Sequence, residues 1–544
     1  MDNKDLADLI YPNAKDISYY EEKYPERNLP EGAIVTRFAP SPTGFVHIGG
    51  LLQALIAERQ AKQTNGVFIL RVEDTDQKRE IENGVLGITN ALKDFGIVQN
   101  EGMINENDEI GDYGPYKQSQ RKEIYQAYAK SLVEKGFAYP CFCSSEDLEK
   151  IRESQERAKE RTGYFGKWTK CRNIPVDLAI EKIKNRESYI LRLKSPGNPD
   201  KKIKHKDVIK GGIDFPENDQ DIVIIKSDGL PTYHFAHAID DHLMRTNMVI
   251  RADEWVASVP LHLQLFYVLG FKAPRYAHIA PIVKIDGESK RKLSKRKDPE
   301  ASVGYYKEQG VPKQAVKEYL MNIANSNFEM WRKQNPDKGI EEFELVLNKM
   351  GVSGALFDIV KLEDVSKTVI SKYSANEVYN QVYEWAEEYD NELLEMLKDK
   401  EYALKILGIE RGAVKPRKDI AKWMDVKNII FYMYLNKFKN VEYDYQKINN
   451  KTEIEKIVKL YFEKYFNILD DKQTWFDKIK DLAEELGYAR EVKEYKENPD
   501  KFKGHVGDIS TVIRVALTGR SNTPDLYEIM QVLGKDEILK RVSF

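Results

Sequence analysis

The stretch Arg37-Phe38-Ala39-Pro40-Ser41-Pro42-Thr43-Gly44-Phe45-Val46-His47-Ile48-Gly49-Gly50 carries the residue types that a phosphate-binding turn needs. Gly49 and Gly50 lack a Cβ, so a flat base or a phosphate can approach the backbone closely. An imidazole at His47 can donate to a phosphate oxygen. Pro40 and Pro42 hold the loop in shape before a ligand arrives, which lowers the ordering cost of binding. Far downstream, Lys290-Arg291-Lys292-Leu293-Ser294-Lys295-Arg296 clusters cations in a glycine-containing segment. Such a loop can close over a triphosphate and stabilise the charge that grows as pyrophosphate leaves, with Ser294 adding a hydroxyl. Taken singly, the first stretch also reads as a tight turn with a surface histidine, and the second as a solvated lysine loop.

Particular elements must position these residues. Ala33-Ile34-Val35 with Phe38 reads as a buried strand that Pro40 and Pro42 terminate. Ile48, Leu51, Leu52 and Leu55 repeat at helical spacing and should share one face, and Asn65-Gly66 ends that helix. Val67-Phe68-Ile69-Leu70 with Val72 is the next strand, so the segment is a βαβ unit with a parallel sheet. A ligand is expected outside the carboxyl ends of such strands, at the helix N-terminus with its free N–H groups. Residues 141–215 change character and look inserted, with a charged helical stretch near 145–161. The sheet is expected to resume at Ile222-Val223-Ile224-Ile225, followed by a helix near 233–245 and a strand at Met248-Val249-Ile250. Ile279 to Ile285 leads into a glycine- and lysine-rich loop at 286–298. From about 302 onward helical periodicity dominates. The fold class expected is α/β: a Rossmann-like parallel-sheet domain split by an insertion, followed by all-α C-terminal domains.

Composition narrows the context. The 544 residues allow several domains, and 41% hydrophobic content is ordinary for a globular chain. A net charge of −3 does not point to nucleic acid, but local basic stripes exist at Lys201-Lys202, Lys204-His205-Lys206, Lys290 to Lys292, Lys295 to Lys297, and Lys415 to Lys418 with Arg411. Each alone reads more readily as solvated surface. Three cysteines argue against a disulfide framework, yet Cys141, Cys143 and Cys171 share one short window. The N-terminus is polar and acidic without a signal-peptide pattern, and no apolar run approaches a membrane span, so a cytoplasmic protein is expected.

The pair His47-Ile48-Gly49-Gly50 and Lys292-Leu293-Ser294-Lys295-Arg296 resembles the two defining motifs of class I aminoacyl-tRNA synthetases. More narrowly, Arg37 to Gly50, Arg71-Val72-Glu73-Asp74-Thr75-Asp76, Asp228 to His234, Asp240-Asp241-His242 and Ile250 to Trp255 look like glutamyl-tRNA synthetase of the bacterial type. The likeness is close over the front 330 residues and looser behind. It implies glutamate-binding roles for Arg37 and Arg251 on the carboxylates, Ser41 and Glu73 on the ammonium end, and Tyr233 on the side chain. Arginine's fork matches a carboxylate bidentately. It implies that His47, Gly49, Gly50, Glu254, Lys292, Ser294 and Lys295 surround ATP with Mg²⁺, with His47, Lys292, Ser294 and Lys295 acting in catalysis. Glutamate would attack the α-phosphorus to give glutamyl-adenylate, and the tRNA 3′-terminal ribose would then take the acyl group and release AMP.

Residues 1 to about 32 read as an irregular or loosely helical extension, and the resemblance further implies a catalytic domain at 33–140 and 216–300. An acceptor-end-binding insertion would span 141–215, a stem-contact helical region 301–370, and an anticodon-binding region 371–544. The partners implied are tRNA(Glu), with tRNA(Gln) a further candidate, and L-glutamate, for a monomer away from membranes. Glutaminyl-tRNA synthetase is the near alternative, but that family typically shows Pro-Glu-Pro-Asn in place of Pro40-Ser41-Pro42-Thr43 and two aspartates in place of Glu73-Asp74. A dinucleotide-forming nucleotidyltransferase, which also uses a His-x-Gly turn, and a non-catalytic RNA-binding relative are alternatives of other classes. Cys141, Cys143 and Cys171 resemble a zinc site of some family members. A structural zinc site normally has four ligands. Asn173 stands where a histidine ligand would be convenient, and Tyr164 is the poorer candidate.

Overall fold

The computed structural model describes residues 2–76, 81–294, 296–438, 443 and 445–542. The chain forms two compact units, one of Met1–Tyr305 with Lys317–Asp358, the other of Tyr306–Val316 with Ile359–Phe544.

The first unit opens with α1 (Asn3–Ile10) and α2 (Ile17–Lys23), then runs β1 (Val35–Phe38), α3 (Ile48–Gln63), β2 (Val67–Leu70), α4 (Gly84–Asp94), β3 (Glu101–Met103), β4 (Glu109–Ile110) and α5 (Lys122–Glu134). Next come β5 (Ala138–Cys141), α6 (Ser145–Arg157), α7 (Val176–Lys184), β6 (Ile190–Leu193), and the hairpin of β7 (Lys202–Asp207) and β8 (Gly211–Pro216). Then follow β9 (Val223–Ile225), α8 (Tyr233–Leu243), β10 (Met248–Ala252), α9 (Val259–Leu269), β11 (Arg275–Ile279), β12 (Ile282–Asp286) and β13 (Ser289–Lys292).

β1 and β2 pair in parallel with Val35 opposite Val67, and β2 continues in parallel with β3. All residues of β1 and β2 are buried, as expected for a parallel sheet covered on both faces. β10 and β11 form a second parallel pair. Asn247, just before β10, joins it to β1: its amide donates to the Val35 carbonyl at 3.1 Å, and its Oδ1 accepts from the Val35 amide at 2.9 Å. The helix after β1 ends where Asn65 turns left-handed, φ 53°, and Gly66 follows. A Cβ on Gly66 would stand 1.9 Å from the Ile34 carbonyl oxygen, so only glycine lets the chain return beside β1.

Three elements depart from the sequence reading. β9 does not resume the parallel sheet. It pairs antiparallel with β6, which pairs antiparallel with β5, because the segment around Ile190–Leu193 supplies the neighbouring edge. The loop expected at 286–298 is partly a hairpin, with β13 antiparallel to β12 and Lys290 to Lys292 on a strand. Finally, α3 is buried on more than one face. Its second face is covered by residues 341–345, whose carbonyls accept from Arg59, Gln60 and Gln63. Periodicity missed this because the covering backbone is met by polar, not apolar, side chains.

Residues before β1 are ordered by packing. Leu6, Ala7, Tyr20 and Tyr24 join the same core as α5. The Tyr24 hydroxyl donates to the Gly114 carbonyl at 2.7 Å, and Arg27 pairs with Glu101 at 2.6 Å.

The second unit is helical, including Ile359–Ile370, Ala375–Tyr389, Lys400–Gly408, Trp423–Ile430, Lys451–Leu460, Lys472–Glu485 and Val506–Thr518. Its core gathers Val378, Val382, Trp385, Leu407, Val426, Ile457, Ile479 and Ile513. A capping box of Ser374 and Glu377 starts one helix, and left-handed Gly519 stops another. Two cations of the 411–418 stripe serve this scaffold. Arg411 donates to the carbonyls of Leu407 and Ile370, and burial pulls its guanidinium down to about 10. Arg417 is buried and forks onto Asp419. Among the described residues, no helix is long and apolar enough to cross a membrane.

Candidate active site

A cavity of about 280 Å³ lies beyond the carboxyl end of β1, at the start of α3. Arg37, Ser41, His47, Gly50, Glu73, Tyr233 and Arg251 all line it, with Trp255. The loops that form it are tied at the backbone: the Glu73 amide donates to the Pro40 carbonyl at 3.0 Å and the Arg71 amide to Phe38 at 3.0 Å.

Beneath the cavity lies a buried charge network centred on α8. Asp240 and Asp241 are adjacent, so their side chains leave the helix about 100° apart and face different neighbours. Asp241 Oδ1 lies 2.6 Å from Arg71 Nη1 and 3.3 Å from Arg37 Nε, and its Oδ2 lies 2.8 Å from His237 Nδ1. Asp240 accepts from Arg121 at 2.7 Å, Gln118 at 2.9 Å and the Tyr125 hydroxyl at 2.9 Å. Burial pushes the Asp241 carboxyl up, but Arg37 and Arg71 hold it well below the usual range. For Glu73 burial wins. Its pKa is raised, although Arg71, 3.1 Å away, and Arg37 oppose the shift.

Arg251, 2% exposed, is held differently. Its Nε donates to His278 Nε2 at 3.0 Å, Nη1 lies 3.0 Å from His262 Nδ1, and Nη2 donates to the Trp255 carbonyl at 3.3 Å. The guanidinium also lies 4.7 Å from the Tyr276 ring centre. Burial holds His262 well below the usual histidine range and lowers His278 too. Burial, helped by Arg251, brings His234 down to about 4. The Tyr233 ring packs against Trp255, with centres 4.4 Å apart and the planes tilted by 39°.

His47 caps α3: its Nδ1 accepts the Gly49 amide at 2.9 Å. The ring proton is therefore on Nε2, which reaches the Leu293 carbonyl oxygen at 3.2 Å. The basic segment is shaped by Asp298, which takes a fork from Arg291 at 2.6 and 2.9 Å and the Ser294 amide at 2.8 Å. These contacts hold the Asp298 carboxyl far below the usual range, the Arg291 hydrogen bond first. Ser294 thus stands beside His47 through Leu293 but does not line the cavity. Lys292 and Glu254 are exposed and pair with each other at 2.5 Å outside the cavity lining. Lys295 lies outside the described residues.

Away from this cleft, the three cysteines converge. Sulfur atoms of Cys141, Cys143 and Cys171 all lie within 4.8 Å of one another, a grouping that could hold a metal. The Tyr164 hydroxyl sits among them, 3.5 Å from Cys141 Sγ and 3.4 Å from Cys143 Sγ.

Residues 33–385 match the family described as tRNA synthetases class I (E and Q), catalytic domain, and residues 377–544 match an anticodon binding domain family. The chain belongs to this class I synthetase family. It is 52% identical to a glutamate–tRNA ligase of Clostridium perfringens strain 13, and 49% identical to one of Acetivibrio thermocellus, each over all of both chains. Among solved structures, it resembles a glutamate tRNA ligase of Elizabethkingia meningosepticum crystallised with its amino acid. That likeness has a TM-score of 0.73 at 27% identity and covers 94% of this chain and 98% of that one.

The synthetase cleft also contains residues to which sequence reasoning assigned no role. Arg71, Asp240 and Asp241 stood in recognised motifs, and the signal was there: two adjacent aspartates amid Ala236, Ala238, Ile239 and Leu243 on one helix must be buried and need cations. Asp207, His262 and His278 carried no such signal, since nothing in the chain order links them to Arg251.

Proposed function

We propose that this synthetase activates L-glutamate with ATP and transfers the glutamyl group to tRNA(Glu). The observation that carries the reading is one cavity lined by two buried arginines and a carboxylate beside a glycine-rich helix start. Arg37 and Arg251 suit the two carboxylates of glutamate, Glu73 with Ser41 its ammonium group, and Tyr233 the methylene chain. An α-amino acid with an acidic side chain complements that charge pattern, whereas a nucleotide-only substrate leaves the second arginine unused. This favours adenylation over dinucleotide formation.

ATP, carried with Mg²⁺, is placed at the start of α3. The glycine-rich first turn at Gly49 and Gly50 lets phosphate approach the backbone, His47 turns its Nε2 proton from the Leu293 carbonyl to phosphate when ATP binds, and Lys292, Ser294, Lys295 and Glu254 complete the nucleotide site. The carboxylate held by the arginines attacks the α-phosphorus and pyrophosphate leaves. The tRNA ribose hydroxyl then displaces AMP from the acyl carbon. These side chains position the reactants and stabilise charge, without a covalent protein intermediate.

We assign 33–140 and 216–300 to catalysis, 141–215 to the acceptor end, 301–370 to the stem, and 371–544 to the anticodon. The cysteines suit zinc, since thiolates are soft ligands, and Tyr164 supplies the fourth donor better than Asn173. We read the protein as a cytoplasmic monomer. The test is charging of purified tRNA(Glu) and tRNA(Gln) with each amino acid in turn. Glutamate on tRNA(Glu) supports the proposal, and charging with glutamine alone overturns it.

A further inference from the structure

A buried guanidinium is costly unless something compensates its charge. Arg37 and Arg71 share Asp241, and Arg121 has Asp240. Among the described residues, Arg251 forms no ion pair with a carboxylate within 4.0 Å. Its hydrogen bonds go to two imidazoles and a backbone carbonyl.

The proton positions in this cradle follow from the geometry. His278 Nδ1 lies 2.6 Å from Asp207 Oδ2 and must carry the proton, which leaves Nε2 as a lone pair for Arg251. Asp207 is itself fixed on the β7–β8 hairpin by the amides of Ile209 and Lys210. His262 Nδ1 accepts from Arg251, so its proton sits on Nε2 and is directed at His234 Nδ1, 2.8 Å away. Each ring accepts one arginine proton while remaining uncharged, and each is locked in that tautomer by a partner on its far side. Three of the five N–H donors of an arginine are occupied in this way, which leaves two for a ligand.

We propose that His262 and His278 are positioning residues that hold Arg251 in place without neutralising it, so that its charge is left for a substrate carboxylate and sets the preference for an acid over its amide. The proposal rests on the reading of Arg251 as the holder of a glutamate carboxylate. An amide substrate presents no counter-charge and leaves the buried cation uncompensated, a mismatch that discriminates strongly.

The test exploits a size-matched pair. In H262N the Oδ1 replaces Nδ1 as a neutral acceptor, whereas H262D places a carboxylate at the same point. Aminoacylation kinetics, with glutamate and with glutamine as the competing amino acid, should show H262D raising KM for glutamate about ten-fold or more and lowering the glutamate-to-glutamine ratio of kcat/KM. KM for ATP should stay within about two-fold, and H262N should restore KM for glutamate to within about three-fold of the parent. Equal KM values for glutamate in the two variants would overturn the proposal. R251Q separates the two readings. If it leaves KM for glutamate unchanged, the assignment of Arg251 to the substrate fails. If it raises KM while H262D and H262N behave alike, only the cradle fails. Should melting show H262D unfolded, H278E and H278Q repeat the comparison at the other acceptor.

Discussion

His47 and Leu293 are joined across the cleft, imidazole Nε2 to carbonyl oxygen at 3.2 Å, while the other ring nitrogen caps α3. One side chain therefore sets both the helix start and the position of the basic segment. The glycine-rich helix start and the basic segment are thus joined through one imidazole.

That coupling separates two substitutions. H47N keeps a cap acceptor but does not reach Leu293. It should leave thermal stability nearly unchanged and lower kcat for tRNA charging by about 100-fold. H47A loses the cap as well and should cost about 0.5–2 kcal/mol of stability, read by denaturant unfolding.

Asp241 serves Arg37 and Arg71 together. D241N leaves two buried guanidinium groups facing an amide. It should destabilise the first unit by about 3–5 kcal/mol and raise KM for glutamate, because Arg37 loses its support. Urea unfolding combined with KM measurements checks both outcomes. An unchanged KM would separate Arg37 positioning from Asp241.

Burial brings His234 down to about 4 from an ordinary 6.5, and His237 likewise to about 4. Both therefore stay neutral in the folded chain while the unfolded chain takes up protons. Their contribution is fully present above pH 6.5 and is lost as pH falls toward 4, with a slope of up to about 1.4 kcal/mol per pH unit for each histidine. Unfolding free energy should fall across that window, and H234Q should flatten the profile. Parallel profiles for the parent and H234Q would refute this account.

The sulfur cluster makes a stoichiometric prediction. Purified protein should carry one zinc per chain by elemental analysis. C143S should lose it, and Y164F should bind more weakly under chelator challenge. Zinc-free parent protein of undiminished stability would argue for three thiols packed with a tyrosine.

Much of the site was legible before folding because its signals are local. Prolines before α3 fix the backbone through their rings, the glycines at its start leave the backbone open to close approach, and Asn65-Gly66 after it admits a left-handed turn. Short continuous apolar runs revealed β1, β2 and β10, since a strand covered on both faces is apolar throughout, and helical spacing revealed α3. The recognised motifs brought Arg37, Glu73, Tyr233 and Arg251 together on paper, and one cavity does hold them. The pairing of β9 was not legible. An apolar strand shows that it is buried but not which edge it joins, so β9 was assigned to the wrong sheet.

By itself, the sequence determined the family, the turn chemistry and the residue types lining the cleft, all properties of contiguous segments. Only the tertiary structure decided which charges are compensated. Asp241 and Asp207 lie in segments far from the arginines they influence, and one meets its arginines directly while the other acts through an imidazole. The availability of a buried cation depends on the few ångströms around it, and chain order does not encode that distance.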